Sequence, residues 1–391
     1  MLHLTHRNVS CIIILIKIIM KGLYGVYQFV HSSNTMNTKI TLQDIADALG
    51  ISRNTVSRAL NNPKTVSDST RNKIFKKASE MGYKHFASLP PMPETASLLT
   101  GGSKKEIALF TQSFPGTSHF GMKLLDSFQK KIGDFGYKLS IYIIRDFEIN
   151  LLSLPANFNL EHTSGIICLE LFSEAYSTFL CQQNLPILFV DTVVNHNDLN
   201  LQADLLYMEN HLSVYLMLRD LIERGYHNIS FVGDRFHCHS FYERWQTYCA
   251  VMTDYNLSVN TNNCILDSDS SPYHDVEWLS TRIKALDSLP DVFFCANDYL
   301  AIATLKALKS LNISVPDDVL LCGFDDAPES IIIEPTITTI KIPSTSMGYT
   351  AAELLLSRIT HPDMPYRTTY VKTNIIFRDS THRINNRVGG R

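Results

Sequence analysis

The chain has 391 residues, 45% of them apolar and 10% aromatic, enough for two or three packed domains and too much for one small module. Its formal net charge of −3 argues against a uniformly basic nucleic-acid-coating protein, but the balance along the chain is uneven. Residues 36–89 carry a net +5, residues 1–35 add +3, and the remainder holds −11. Eight cysteines without a single CxxC pair exclude a disulfide-framed scaffold and read as free thiols of a reducing cytoplasm.

Residues 1–35 contain an apolar run, Cys11–Met20, broken by Lys17 and followed by Lys21. A spanning helix needs about 20 predominantly apolar residues, and no small-residue cleavage motif follows this run. The stretch is expected to be a non-native or disordered extension, with Met36 as the working start. A membrane-tethered form and an exported receptor are the alternatives.

The next segment, Thr41–Leu60, places Leu42, Ile45, Ala46 and Leu49 at helical spacing on one stripe. Gly50 ends that helix because it adopts positive φ without a steric penalty. Ser52 is a good N-cap for a second helix. There Val56, Ala59 and Leu60 face inward, while Arg53, Asn54, Ser57 and Arg58 face out. Two tightly joined helices of this design form a helix-turn-helix, whose second helix enters the DNA major groove by its first turn. A third helix follows over about 68–81, with Ile74, Ala78 and Met81 closing a small core, and stops at Gly82. Leu89–Pro93 cannot continue a helix, so the headpiece spans residues 36–85 and residues 86–105 form a linker and hinge.

From Glu106 buried strand-like runs alternate with helical segments. The strands are read at Ile107–Phe110, Leu139–Ile144, Gly165–Leu169, Ile187–Val190, Ile229–Val232, Val292–Cys295 and Val319–Cys322. Helices are read at Gly121–Phe135, Leu212–Glu223, Arg244–Asn256 and Tyr299–Leu311, a rhythm that predicts parallel sheets covered on both faces. The length calls for two α/β lobes with a cleft between them. The body is therefore assigned to residues 106–385, with lobe 1 at about 106–210 and 340–368 and lobe 2 at about 211–339 and 369–385. Residues 386–391 are a tail.

These segments carry a family pattern. Thr41–Ala46, Gly50-Ile51-Ser52, Thr55–Asn61, Val66-Ser67, Thr70-Arg71 and Met81-Gly82-Tyr83 resemble the headpiece of the lactose-repressor (LacI/GalR) family of transcription regulators. Leu221–Tyr226, Ala296-Asn297-Asp298, Val315–Asp318, Gly323–Asp326 and Pro335–Ile340 match its body in the family's order. The resemblance implies an all-α helix-turn-helix headpiece joined by a hinge to a two-lobed α/β effector domain of the periplasmic-binding-protein type. It also implies a homodimer on double-stranded, pseudo-palindromic operator DNA, controlled by a small effector, and no membrane partner.

On that resemblance Arg53 and Asn54 are the base readers, since Arg can bond guanine O6 and N7 and Asn can bond adenine N6 and N7. Arg58 adds a base or phosphate contact, while Thr41, Ser52, Thr55 and Ser57 orient the headpiece on phosphates. Leu98, with Leu99 as fallback, is the candidate minor-groove wedge of the hinge, and a flexible linker without groove contact is the alternative. In the body Asp191, Asp298 and Asp325 follow strands, at the end where α/β clefts bind ligands. Arg244 resembles the family's effector-contacting arginine, and Phe294 is expected to pack against the effector. Asn297 and Asp298 as helix caps, and Arg244 paired with Glu243, are the structural alternatives. The glycine and phenylalanine usual after that arginine are replaced in Arg244–Tyr248, and Phe114–Phe120 lacks the common Asn-Pro-Phe-Phe run. His237-Cys238-His239 lacks two further ligands at metal-binding spacing, and no nucleophile-elbow or Walker motif is present. No cofactor, metal or catalytic activity is expected. Arg53→Ala is expected to change which operator bases are preferred, and Lys76→Ala to weaken binding to all sequences alike, in a base-scanned set of operators.

Overall fold

Strands with apolar residues on both faces must be covered twice, and most of the strands beyond Glu106 are of this kind. The computed structural model describes residues 41–61, 106–113, 121–194 and 201–383, with scattered positions between 66 and 81. The N-terminal stretch 1–35, the hinge with Leu98 and Leu99, the segment Phe114–Phe120 and the tail lie outside the described residues. The chain divides near residue 90 into two units.

In the first unit, α1 (Leu42–Leu49) and α2 (Arg53–Asn61) pack through Ile45, Ala46, Val56 and Ala59, all fully buried together with Ile74 and Ala78. Thr41 starts α1 with a capping box: its backbone N–H donates to Asp44 Oδ2 at 2.7 Å, and Asp44 N–H donates back to Thr41 Oγ1. Gly50 ends it at φ 64°, where its N–H reaches the carbonyls of Ala46 and Asp47.

The second unit holds two parallel sheets. The larger one has the order β10-β5-β4-β3-β1-β2, with β1 Glu106–Thr111, β2 Lys138–Ile143, β3 Thr163–Leu169, β4 Ile187–Val190, β5 Asp204–Met208 and β10 Thr368–Val371. Alternate residues of its central strands face opposite layers. Ile107, Leu109, Ile167 and Leu169 pack beneath α3 (Gly121–Gly133) and α11 (Ser344–Thr360). Ala108, Phe110, Ile166 and Cys168 turn to the layer of α4 (Asp146–Leu151) and α5 (Glu174–Cys181). α11 lies so close on α3 that a Cβ at Gly348 would sit 2.1 Å from the Leu124 carbonyl oxygen.

The smaller sheet runs β6-β7-β8, at Ile229–Val232, Val292–Cys295 and Leu320–Cys322. Its helices are α6 (Leu212–Glu223), α7 (His239–Asp254), α8 (Val276–Lys284), α9 (Asp298–Ser310) and the short α10 (Glu329–Ile332). An antiparallel pair, β9 (Thr339–Lys341) and β11 (Asn374–Ile376), accompanies the chain between the lobes. The lobes are thus joined three times, after β5, after β9 and after β10. Thr373 Oγ1 donates to the Glu209 carbonyl at 2.9 Å and ties two of these crossings together. Because β10 pairs in parallel with β5, residues 369–371 belong to the first lobe, three residues beyond the expected boundary. α7 begins five residues before the expected Arg244, and this places its first turn at the rim of the cleft.

One buried charge cluster fastens α11 to the large sheet. Asp204 is fully buried and accepts two hydrogen bonds from the Arg358 guanidinium at 3.0 and 3.1 Å. It also accepts from Arg367, through Nη2 at 3.0 Å and backbone N–H at 2.8 Å. Burial opposes the charge on Asp204, yet these donors outweigh it and hold the carboxyl below its usual range. Asp204→Ala leaves the buried Arg358 with backbone carbonyls but without its counter-charge and is expected to lower stability by about 3–5 kcal/mol, measured by denaturant unfolding.

Candidate functional site

The headpiece presents its polar tip as the cap chemistry dictates. Ser52 Oγ accepts from Thr55 N–H at 3.1 Å and lies 2.8 Å from Thr55 Oγ1, which fixes the first turn of α2. Arg53 and Asn54 stand exposed on that turn, Arg58 is exposed one turn later, and Thr55 and Ser57 are half-buried beside them. Thr41 and Ser52 both act as N-caps, so each hydroxyl sits where a helix N-terminus gathers unpaired N–H groups that can meet a phosphate.

In the body, a cleft of about 460 Å³ opens at the carboxyl ends of the strands, lined by residues of both lobes. Asp191 and Asp325 line it as expected, and Arg244 does so from the second turn of α7. Asp191 follows β4 at φ 61°, and its Oδ1 accepts from the N–H groups of Thr192 at 2.8 Å and Ser240 at 3.3 Å. Ser240 belongs to the other lobe, and His239 N–H donates to the Thr192 carbonyl at 2.8 Å beside it. The N-terminus of α7 is therefore bonded across the cleft.

Arg244 is 2% exposed. Its Nε donates to Asn210 Oδ1 at 3.0 Å, its Nη1 donates to the Ala296 carbonyl at 2.7 Å, and its guanidinium carbon lies 3.5 Å from the centre of the Phe324 ring. Asp325 follows β8 at φ 120° with its N–H on the Ile340 carbonyl. Burial pushes its carboxyl well above the usual range, and the nearby Arg244 charge only partly offsets this.

Two of the expected effector residues do not line the cleft. Phe294 lies in the middle of β7, fully buried and edge-on to Phe231 at 5.4 Å, because its strand is covered on both faces. Asp298 is also fully buried. It accepts from Thr339 Oγ1 at 2.6 Å and Ala327 N–H at 2.8 Å, and burial raises its pKa to about 7. It joins the start of α9 to the loop after β8, where Gly323 leaves no room for a Cβ: one would meet Asp298 Oδ1 at 2.4 Å. Its neighbour Asn297 caps α9 through Leu300 N–H and also faces the cleft.

The cleft also contains Glu170, Phe172, Phe241 and Tyr299, which the sequence reading does not select. Glu170 follows β3 as Asp191 follows β4, so the signal of an acid after a buried strand applies equally to it. His237 Nδ1 lies 2.6 Å from Asp269; burial opposes the charge on the imidazole, but the Asp269 contact raises its pKa.

Behind the cleft, Glu243 gathers the lobe crossings. Asn210 Nδ2 donates to its Oε2 at 2.7 Å, Tyr370 of β10 donates to its Oε1 at 2.6 Å, and the Nε2 atoms of His239 and His211 lie 3.1 and 3.3 Å from Oε1. Burial opposes its charge, but these partners outweigh it and hold its carboxyl far below the usual range. Asn210 thus serves both Glu243 and Arg244. His211 Nδ1 faces Thr247 Oγ1, whose proton goes to the Glu243 carbonyl, so both imidazole nitrogens face acceptors and the charged form is favoured. This contact stabilises the fold below the ordinary histidine pKa of 6.5 and is lost as pH rises through the raised value. In Glu243→Gln the His211 titration, followed by NMR, is expected to fall back toward 6.5.

A capped helix-turn-helix followed by a two-lobed α/β domain with a polar cleft is the architecture of a class of DNA-binding regulators. Residues 41–85 match the family model for bacterial regulatory proteins of the lacI family, and residues 218–381 match the periplasmic binding protein-like domain. The chain belongs to the lacI family of bacterial regulatory proteins. It is 25% identical over 353 residues to the HTH-type transcriptional repressor PurR of Vibrio vulnificus, covering 88% of this chain and 99% of that protein. It is 26% identical over 362 residues to the HTH-type transcriptional regulator GalR of Streptococcus thermophilus, covering 87% and 99%. Among solved structures, the fold is shared with the CelR–cellobiose complex at a TM-score of 0.61 and 21% identity, over 87% of this chain and 99% of that one. It is also shared with the lac repressor dimer bound to operator and the anti-inducer ONPF, at a TM-score of 0.59 and 20% identity over 88% and 99%.

Proposed function

We propose that the protein is a cytoplasmic transcriptional repressor that binds a pseudo-palindromic operator as a homodimer and answers to a small sugar-like effector in the interlobe cleft. The observation that carries this reading is one chain with two built sites. One is an exposed Arg53-Asn54 pair on a capped helix turn, and the other is a cleft where Arg244, Asp191 and Asp325 converge at strand ends. The relative from Vibrio vulnificus is named a repressor, and two related folds were solved with cellobiose and with operator DNA. A dimer follows from the two-fold symmetry of such operators. Of the DNA-contact assignments, Thr41, Ser52, Thr55 and Ser57 position the headpiece, Arg53, Asn54 and Arg58 read or anchor, and Leu98 is the hinge wedge.

The effector acts only through its different affinities for two lobe arrangements, so it changes operator affinity without touching DNA. Bonds from Asp191 and Thr192 to the start of α7 are ones that a change in lobe angle must stretch or break. The test is a thermal-shift screen of hexoses, disaccharides and nucleosides, followed by operator binding with each compound that stabilises the protein. Arg244→Ala is expected to weaken the stabilising compound by about 10- to 100-fold, as loss of hydrogen bonds from a charged group does, while operator DNA is still bound without it. Unchanged compound affinity in Arg244→Ala would exclude this cleft as the effector site.

A further inference from the structure

Behind the cleft the two lobes meet across a buried acid. Glu243 of α7 is 5% exposed, and the first lobe reaches it through Tyr370 of β10, whose O–H donates to Oε1 at 2.6 Å. Tyr370 stacks on Tyr207 of β5 with ring centres 5.2 Å apart, and the His239 ring of α7 lies 4.8 Å from the Tyr207 ring. Tyr207 in turn shares a 2.8 Å hydrogen bond with Thr192, after β4. Beside this contact run the two backbone bonds that join the lobes, from His239 N–H to the Thr192 carbonyl and from Ser240 N–H to Asp191 Oδ1.

A carboxylate held away from water is costly unless donors and a counter-charge meet it. Asn210 fills Glu243 Oε2 and links it to Arg244, while Tyr370, His239 and His211 converge on Oε1. His239 Nδ1 is buried and meets no partner among the described residues, so its proton sits on Nε2, toward Glu243. His211 differs. Its Nε2 faces Glu243 and its Nδ1 faces Thr247 Oγ1, whose own proton goes to the Glu243 carbonyl, so both nitrogens call for a proton. His211 is thus the cation in direct contact with the buried acid. The other charged and titratable groups around it are Glu209 in the same crossing, Tyr215 on α6, and His239 and Arg244 on α7. Tyr207, Tyr370 and Asp191 stand on the side of the first lobe. About half of the His211 side chain is open to solvent, which gives its proton access to the medium.

We propose that protonated His211 sets a latch between the lobes: its charge keeps Glu243 buried against Tyr370, and its deprotonation lets the lobes part there. Parting lets water reach Glu243, so the open arrangement needs no counter-charge and the closed one does. The Glu243 contact raises the pKa of His211 although burial opposes it. The latch is therefore fully set below the ordinary value of 6.5 and is released as pH rises through the raised value. A proton at His211 acts on the same lobe equilibrium as a ligand in the cleft, from a separate site.

The test is amide hydrogen exchange of the full chain without ligand, read by mass spectrometry between about pH 6 and about pH 8.5 and corrected for the intrinsic rate at each pH. The reporters are the N–H groups of His239 and Ser240, which bond across the lobes, with those of Ile229–Val232 inside the second lobe as reference. Opening at the reporters is expected to rise by up to about tenfold per pH unit, the limit for one proton, while the reference stays level. In His211→Gln the reporters are expected to show the high-pH opening at every pH. In Tyr370→Phe they are expected to lose their pH dependence although His211 still titrates by NMR. A flat profile in the unaltered chain, or a reference that rises in parallel, overturns the inference. So does a pH dependence that survives either substitution. Should a variant fail to fold by circular dichroism, the profile of the unaltered chain against its reference decides alone. The effector reading is independent of these outcomes, since it rests on compound binding in the cleft.

Discussion

The first two turns of α7 are held from both lobes at once, and the geometry of the cleft follows from that constraint. Asp191 and Thr192, at the end of β4, bond to the backbone N–H groups of Ser240 and His239. One turn later Glu243 and Arg244 share Asn210, which sits in the first crossing between the lobes. Burying two opposite charges side by side is costly unless every donor and acceptor is satisfied. Here the partners come from a crossing, a strand of the first lobe and the helix itself. The carboxylate behind the cleft and the guanidinium within it cannot shift independently, so any displacement of Arg244 is linked mechanically to the lobe crossings.

The same logic explains where strain is kept. Glu170, Asp191 and Asp325 each leave a buried strand in the left-handed region, and each lines the cleft. A side chain emerging from a strand in the ordinary extended state would continue along one face of the sheet. The positive φ turns it over the strand end instead. Each sheet is rigid enough to enforce this, because the strands that carry these residues are buried on both faces and the cluster of Asp204, Arg358 and Arg367 fastens a covering helix to the larger one.

Much of this was legible in the residues. The helix-turn-helix was readable because its determinants are local: a threonine cap, a glycine at positive φ, a serine cap and an apolar stripe all act within a few residues. The strands Ile187–Val190, Ile229–Val232 and Val292–Cys295 were readable for the same reason, as short apolar runs bounded by polar residues. Asp191 and Asp325 were placed at the cleft because an acid after a strand is a sequence-local signal, and Arg244 because of its resemblance to the family's effector-contacting arginine. The start of α7 was less legible, because its first turn is held by Asp191 and Thr192 from far away in the chain.

What the sequence by itself determined, then, is the family, the headpiece, the alternation of strand and helix, and most of the charged candidates, since each depends on spacing or on a neighbour. Only the tertiary structure decided which candidates face the cleft. Phe294 and Asp298 carry the same local signals as their neighbours, yet strand covering and the bonds to Thr339 and Ala327 turn them into the core. Glu170 carries the Asp191 signal and faces the cleft. The difference lies in which side of a strand end is open to solvent, and contacts between segments distant in sequence set that.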